Sequence, residues 1–491
     1  MHSTRLTALA AALSAALVHP ALAETIRIGM QQEPTVLDPT ADATAAIDVM
    51  LAQNVYESLT TVGESGEVLP QLAESWTISE DGLVYTFSLV EGASFHDGTT
   101  FDAEDVVFSF DRARAEGSVN PSAGIWTSIE SVAAPDPQTV EVRLTGPDAF
   151  FLFNLAQGDA SIVAPESAET NVTAPIGTGP FKYEDWTRGD RLVLTAFEDH
   201  RNAETVALER VEFRFVADPA AATAALLAEE IDAFPSFPAP ELVDQFDLDP
   251  RFDVVLGSSE GEVILALNNS RAPFDTLEVR QGIAHAIDRD EIIAGAMYGR
   301  AKPIGSFYPP HGPAHIDLTG TYPHDAARAT ELFEAAEVSG TEVTLRLPPF
   351  PYATRSGEII QAQLGAAGLN VAIESVEWGF WIDEVFRNGN YDMTVIAHTS
   401  PNDLGNFARG EDYYYGFQSD AFDALWEEIR TEADPEVRNA LLQDAQRYLA
   451  EKAVHGFLFQ LPRLGVYKAG ITGFWANSPV LYQPLTDVRM N

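Results

Sequence analysis

The sequence predicts an α/β protein built in two or three lobes, and three observations carry that expectation. Strand-like and helix-like segments alternate from residue 320 to residue 400, the pattern of a sheet layered with helices. The chain has 491 residues, more than one simple core accommodates. No internal repeat, low-complexity tract or disordered linker interrupts it, so the length is folded structure.

Taken in order, residues 1–23 have the make-up of a secretory signal peptide. Arg5 is the positive end, residues 6–18 are the apolar stretch, and Ala21-Leu22-Ala23 is a small-residue cleavage site. A membrane span needs about 20 apolar residues, and this run is shorter. No cysteine follows the cleavage site, which excludes a lipid-anchored lipoprotein. The mature chain is expected to begin near Glu24, outside the cytoplasmic membrane, and the missing anchor favours a Gram-negative periplasm.

Residues 25–30 alternate as a first strand, residues 34–39 form a loop, and residues 41–60 are expected to be helical, ending in Tyr56-Glu57-Ser58-Leu59. Residues 84–89 are β-branched and aromatic, hence a strand, with turns at Glu80-Asp81-Gly82 and His96-Asp97-Gly98. Asp102 then caps a helix whose first turn is acidic and whose buried face is Val106, Val107 and Phe110. Residues 139–144 alternate as a half-buried strand. In Pro175-Ile176-Gly177-Thr178-Gly179-Pro180-Phe181 two glycines permit a turn that side chains would block. A phosphate-cradling loop would need a following helix and a basic residue there, and neither is present.

Strands are expected at 191–194, 211–216 and 262–267, with an alanine-rich helix at 219–230 between the last two. Gly257-Ser258-Ser259-Glu260-Gly261 formally matches a nucleophile elbow, but a strand rather than a helix follows it. His285, on a helix beside apolar residues, suits a structural role. Further on, helices are expected at 326–336 and 357–367 and strands at 342–347 and 370–374. Glu377-Trp378-Gly379-Phe380-Trp381 precedes a helix, residues 393–397 are a strand, and residues 421–432 and 435–451 are helices.

Leu72-Ala73-Glu74-Ser75-Trp76, Asp81-Gly82, Phe95-His96-Asp97-Gly98 and the run from Asp102 to Ser109 together resemble the signature of one family. It is the family 5 extracellular solute-binding proteins of ABC importers, which includes dipeptide-, oligopeptide- and nickel-binding proteins. The Gly177–Gly179 segment and the stretch from Asn268 to Arg289 are further landmarks, so the resemblance covers essentially the whole mature chain. It implies a two-lobed periplasmic binding protein fold of type II, with the extra N-terminal subdomain of the peptide-binding cluster. Residues 24–265 would form lobe I, including the extra subdomain at about 60–170. Residues 266–467 would form lobe II, and residues 468–491 would return to lobe I.

The implied function is capture of a small solute, a short peptide or amino-acid-derived compound, between the lobes and delivery to the permease subunits of an ABC transporter, by a monomer. Ligands of open α/β sheets bind at strand ends, which directs attention to the polar loop from His398 to Phe407. Peptide-binding relatives carry an aspartate in that loop, within a Gly-Asp-Pro context. Asp403 lines up with it, although the flanking Gly and Pro are absent. His398, Thr399 and Asn402 share the loop. Arg355 lies where peptide-binding relatives carry an arginine, and would meet the solute's carboxylate. An oligosaccharide is the alternative solute and would stack on aromatics, for which Trp126, Trp378, Trp381, Tyr413, Tyr414 and Tyr415 are available. A nickel chelate is weaker, because the histidines show no cluster. His311 and His315 are four apart, but Gly312 and Pro313 rule out a helical zinc pair. No cofactor, metal or catalytic set is expected.

Net charge is −45, from 74 acidic against 29 basic residues. Such a surface repels nucleic acid and anionic lipid and keeps the chain in solution. Cysteine is absent, and a core of this size needs no disulfides.

Overall fold

The structure is a computed structural model that describes residues 25–399 and 403–491. The expected signal peptide and Asn402 lie outside the described residues. Among the described residues, no helix is long and apolar enough to cross a membrane.

Among those residues an eleven-stranded mixed sheet runs through both lobes. At one end Glu342–Leu347 pairs in parallel with Asn370–Ser375 and with Met393–His398. Parallel neighbours need a crossover, and the helix Pro351–Ala367 supplies one, burying Ile360 and Leu364. At the other end Thr25–Met30 lies parallel to Arg210–Phe215 and Ala233–Phe234. Arg191–Ala196 and Phe181–Thr187 complete that edge.

Two long strands join the ends. Phe252–Leu267 and His455–Lys468 pair antiparallel, and their register breaks between Ser258 and Glu262. On one side of the break the second strand also pairs with Ala233–Phe234; on the other the first pairs with Met393–His398. The break is therefore where the chain crosses between lobes, and an irregular ladder there bends both strands.

The extra unit is a four-stranded antiparallel sheet, in the order Ala73–Ile78, Val84–Leu89, Thr139–Leu144, Ile129–Asp136. The helix Ala103–Arg114 packs on it through Val106 and Phe110, while Val107 is only half-buried. Asp102 caps this helix: its Oδ1 accepts from the Glu104 amide at 2.9 Å, and Asp105 reaches back to the Asp102 amide at 2.9 Å.

Four elements depart from expectation. Only Ala45–Leu51 is helical within residues 41–60. The chain then turns at Gln53 (φ 66°), because the buried Asn54 side chain bonds Met50 and Gln483 carbonyls instead of continuing the helix. The helix expected from residue 357 begins at Pro351, whose fixed φ suits a first helical position. Trp378 starts a helix, which continues as the π-helical turn Trp381–Arg387. The strand expected at 262 begins at Phe252, so the formal elbow is mid-strand. A Cβ on Gly257 would stand 1.7 Å from the Ala476 carbonyl oxygen, and that close approach is what requires glycine there.

Candidate functional site

A cavity of about 610 Å³ opens beside the crossing, between the extra unit and the second lobe. That is a usual volume for a small-molecule site. Tyr85, Asp148 and Phe150 line it from the extra unit, Phe307, Tyr308 and His311 from the loop after Lys302–Pro303, and Trp426 and Arg438 from the C-terminal helices. Glu260 and Glu262 enter from the crossing itself, and Asp403 from the turn after Met393–His398.

The three carboxylates decide its chemistry. Glu262 heads a fully buried strand segment and is itself 3% exposed. Burial, aggravated by the nearby Glu260 and Asp403 charges, pushes its carboxyl well above the usual range. Burial also pushes Glu260 up, opposed by His311, whose Nε2 lies 2.7 Å from Oε1. Asp403 opens the 3₁₀ turn Asp403–Ala408. Its Oδ1 accepts from Asn406 at 2.9 Å and its Oδ2 lies 3.3 Å from His398 Nδ1. His398 Nε2 in turn is 2.7 Å from the Tyr414 hydroxyl, which sets the ring. Arg438 also lines the cavity, where its Nη1 donates to the Glu432 carbonyl at 2.9 Å. Like charges gathered in a half-dry cleft destabilise one another until a cation joins them. An ammonium, with three donors, would meet these acceptors.

A second cavity, about 370 Å³, lies across the crossing and is lined by Met30, Gln31, Thr399, Arg463 and Gln483. Glu260 lines both cavities. The extra unit grips the second lobe through the Ala149 amide, which donates to the Arg430 carbonyl at 2.8 Å, and through Phe150, stacked on Trp426.

Of the residues expected from sequence, Asp403 and Thr399 line cavities and His398 holds Asp403. Arg355 is elsewhere. It sits inside a helix, 3.6 Å from Glu241 and over the Tyr298 ring, and bridges the lobes away from either cavity. Trp126 is 2% exposed in the core of the extra unit, donating to Asn120 at 2.8 Å. Trp381 is buried and donates to Thr394, with the half-exposed Trp378 stacked on it. Tyr413 is buried among Tyr414 and Tyr415. None of these four aromatics lines either cavity: Trp126, Trp381 and Tyr413 are buried between elements, and Trp378 is exposed. Among the described residues no three acidic or histidine side chains come together as a metal site requires.

Glu262, Arg438 and Arg463 were not singled out from sequence, and Glu260 and His311 were met there only inside patterns that were set aside, the formal elbow and the histidine pair. One signal was present: Glu262 abuts the unbroken apolar run Val263 to Leu267, so a carboxylate is drawn into a buried strand.

Comparison with known proteins decides the family. The model of the bacterial extracellular solute-binding proteins, family 5 Middle, matches residues 67–421. The chain belongs to that family. A di/tripeptide-binding protein 1 of Pseudomonas aeruginosa is 28% identical over 96% of each chain. A dipeptide-binding protein of Escherichia coli is 30% identical, over 70% of this chain and 69% of its own. In structure, the periplasmic binding protein DppA of Helicobacter pylori, solved in complex with the peptide STSA, matches with TM-score 0.80 at 25% identity. The match covers 95% of this chain and 98% of that one. In this family 5 chain both cavities flank the strands that carry one lobe into the other.

Proposed function

We propose that this family 5 protein is the periplasmic solute-capturing component of an ABC importer. Its solute is a short peptide or amino-acid-derived compound held by its ammonium group. The convergence of Glu260, Glu262 and Asp403 on one interlobe cavity carries the proposal. Relatives named as dipeptide- and di/tripeptide-binding proteins support it. Hinge closure at the crossing strands would desolvate the ammonium against these carboxylates, and the closed shape is what a permease would recognise. The protein works as a monomer and releases its solute unchanged. His311 and His398 position carboxylates.

Native mass spectrometry of protein purified without refolding identifies a co-purified solute, and calorimetry then measures its affinity for the wild type and for Asp403→Asn. Removing one partner of a buried charge pair costs roughly 3–5 kcal/mol, a loss of more than about a hundredfold. A neutral oligosaccharide whose affinity ignores the substitution would overturn the proposal.

A further inference from the structure

Arg463 is a buried guanidinium whose hydrogen-bond acceptors include no anion, with the Glu64 carboxylate acting on it only through space. It lies on the second crossing strand opposite Gly257, is 8% exposed, and lines the second cavity. Its Nη2 donates to Gln483 Oε1 at 2.6 Å and its Nε to the Pro235 carbonyl at 3.4 Å. Its Nη1 is buried with no acceptor. Both acceptors are neutral, and Pro235 and Gln483 line the same cavity. Burial lowers the pKa of Arg463, the mark of a charge that its surroundings do not balance. A half-satisfied buried arginine is costly, and its planar fork matches a carboxylate.

The reach of the chain bounds the distance to the acidic cluster. Glu260, which lines both cavities, is three residues along the strand from Gly257, the partner of Arg463. Three residues span at most about 10 Å, an upper bound because the register break lies between Ser258 and Glu262. An extended chain of two or three residues covers a similar span.

We infer that the second cavity receives the carboxylate of the solute, with Arg463 as its anchor, so that the solute is dipolar with charges two to three residues apart. This rests on the proposed ammonium site for the other end. It moves the carboxylate contact from Arg355, which is engaged with Glu241, to a residue inside the cleft.

The test compares dialanine, trialanine and methionyl-leucine with their C-terminal amides by calorimetry, on the wild type, Arg463→Gln, Arg463→Lys and Arg438→Gln. The wild type should bind at least one free acid on the order of a hundredfold tighter than its amide. Arg463→Gln should bind the two alike, Arg463→Lys should fall between, and Arg438→Gln should keep the preference. Equal binding of acid and amide by the wild type would overturn the Arg463 assignment and leave the ammonium site standing. Preference lost in Arg438→Gln but kept in Arg463→Gln would overturn it too, placing the carboxylate in the first cavity. Binding of no peptide in either form would overturn both. If Arg463→Gln does not fold, the wild-type comparison and Arg463→Lys decide.

Discussion

The imidazole of His96 is clasped to Gly179: Nε2 lies 2.9 Å from the Gly179 carbonyl, while Nδ1 accepts from the Gly177 amide at 3.3 Å. Because an amide can only donate, Nε2 carries the proton and the ring is neutral. Two segments recognised separately in the sequence are thus one joint. A Cβ at Gly177 would stand 2.1 Å from the Val55 oxygen, and one at Gly179 2.5 Å from the Asn54 oxygen. Close backbone packing, rather than a turn, is what these glycines allow.

That joint predicts acid sensitivity. Burial, only partly offset by the bond to Gly179, lowers the His96 pKa to about 4. The unfolded chain takes up a proton near pH 6.5, which the folded chain refuses until about pH 4. The stability is fully present above pH 6.5 and is lost as pH falls towards 4, on the order of 3 kcal/mol. Urea denaturation at pH 7 and pH 4.5 should show a smaller loss for His96→Gln than for the wild type; equal losses would reject this.

Glu57 is buried and held by Arg201, with both guanidinium–carboxylate contacts at 2.6 Å and His200 3.7 Å away. Burial would push its carboxyl up, but bonds from His200 and Arg201 overcome this and hold it at about 2. Its contribution is present above the unfolded value of about 4.3 and is lost as pH falls towards 2. Arg201→Leu strands the charge and should cost about 3–5 kcal/mol at neutral pH. Adding Glu57→Gln should restore part of it, as measured by thermal unfolding.

Glu262 works in the opposite sense. With its pKa raised by burial, it withholds stability as pH climbs from the unfolded value towards the folded one. Glu262→Gln should therefore raise the melting temperature of the ligand-free protein at pH 8, by about 2–4 °C, and weaken solute binding. For the wild type, affinity should fall as pH drops, because protons compete with the ammonium. A variant that loses both stability and binding would contradict the assignment.

The excess of 74 acidic over 29 basic residues repels itself at low salt. Screening shortens to about 8 Å at physiological ionic strength. The melting temperature should rise from low to moderate salt; a flat or falling curve would contradict this.

The local elements were legible wherever neighbouring residues decide them. Val84–Leu89 and its turns, the Asp102 cap, Thr139–Leu144 and the helix Pro435–Glu451 all follow from propensity, capping and periodicity over a few residues. The ordered signature residues were equally legible, because a long match needs no contacts to be read. Asp403 was singled out by its place after a strand and by the aspartate that peptide-binding relatives carry there, and it lines the larger of the two cavities.

The sequence by itself determined the α/β class, the family and most element positions, since these depend on residues close together in the chain. Only the tertiary structure decided which side chains share a cavity. Glu260, His311 and Asp403 are brought together by a register break in two long strands, and Arg463 meets Gln483 only because the return segment folds back. The same packing buries Trp126 and pairs Arg355 with Glu241. Apart from the apolar run beside Glu262, these pairings arise from contacts between residues tens to more than a hundred positions apart, which local patterns do not encode.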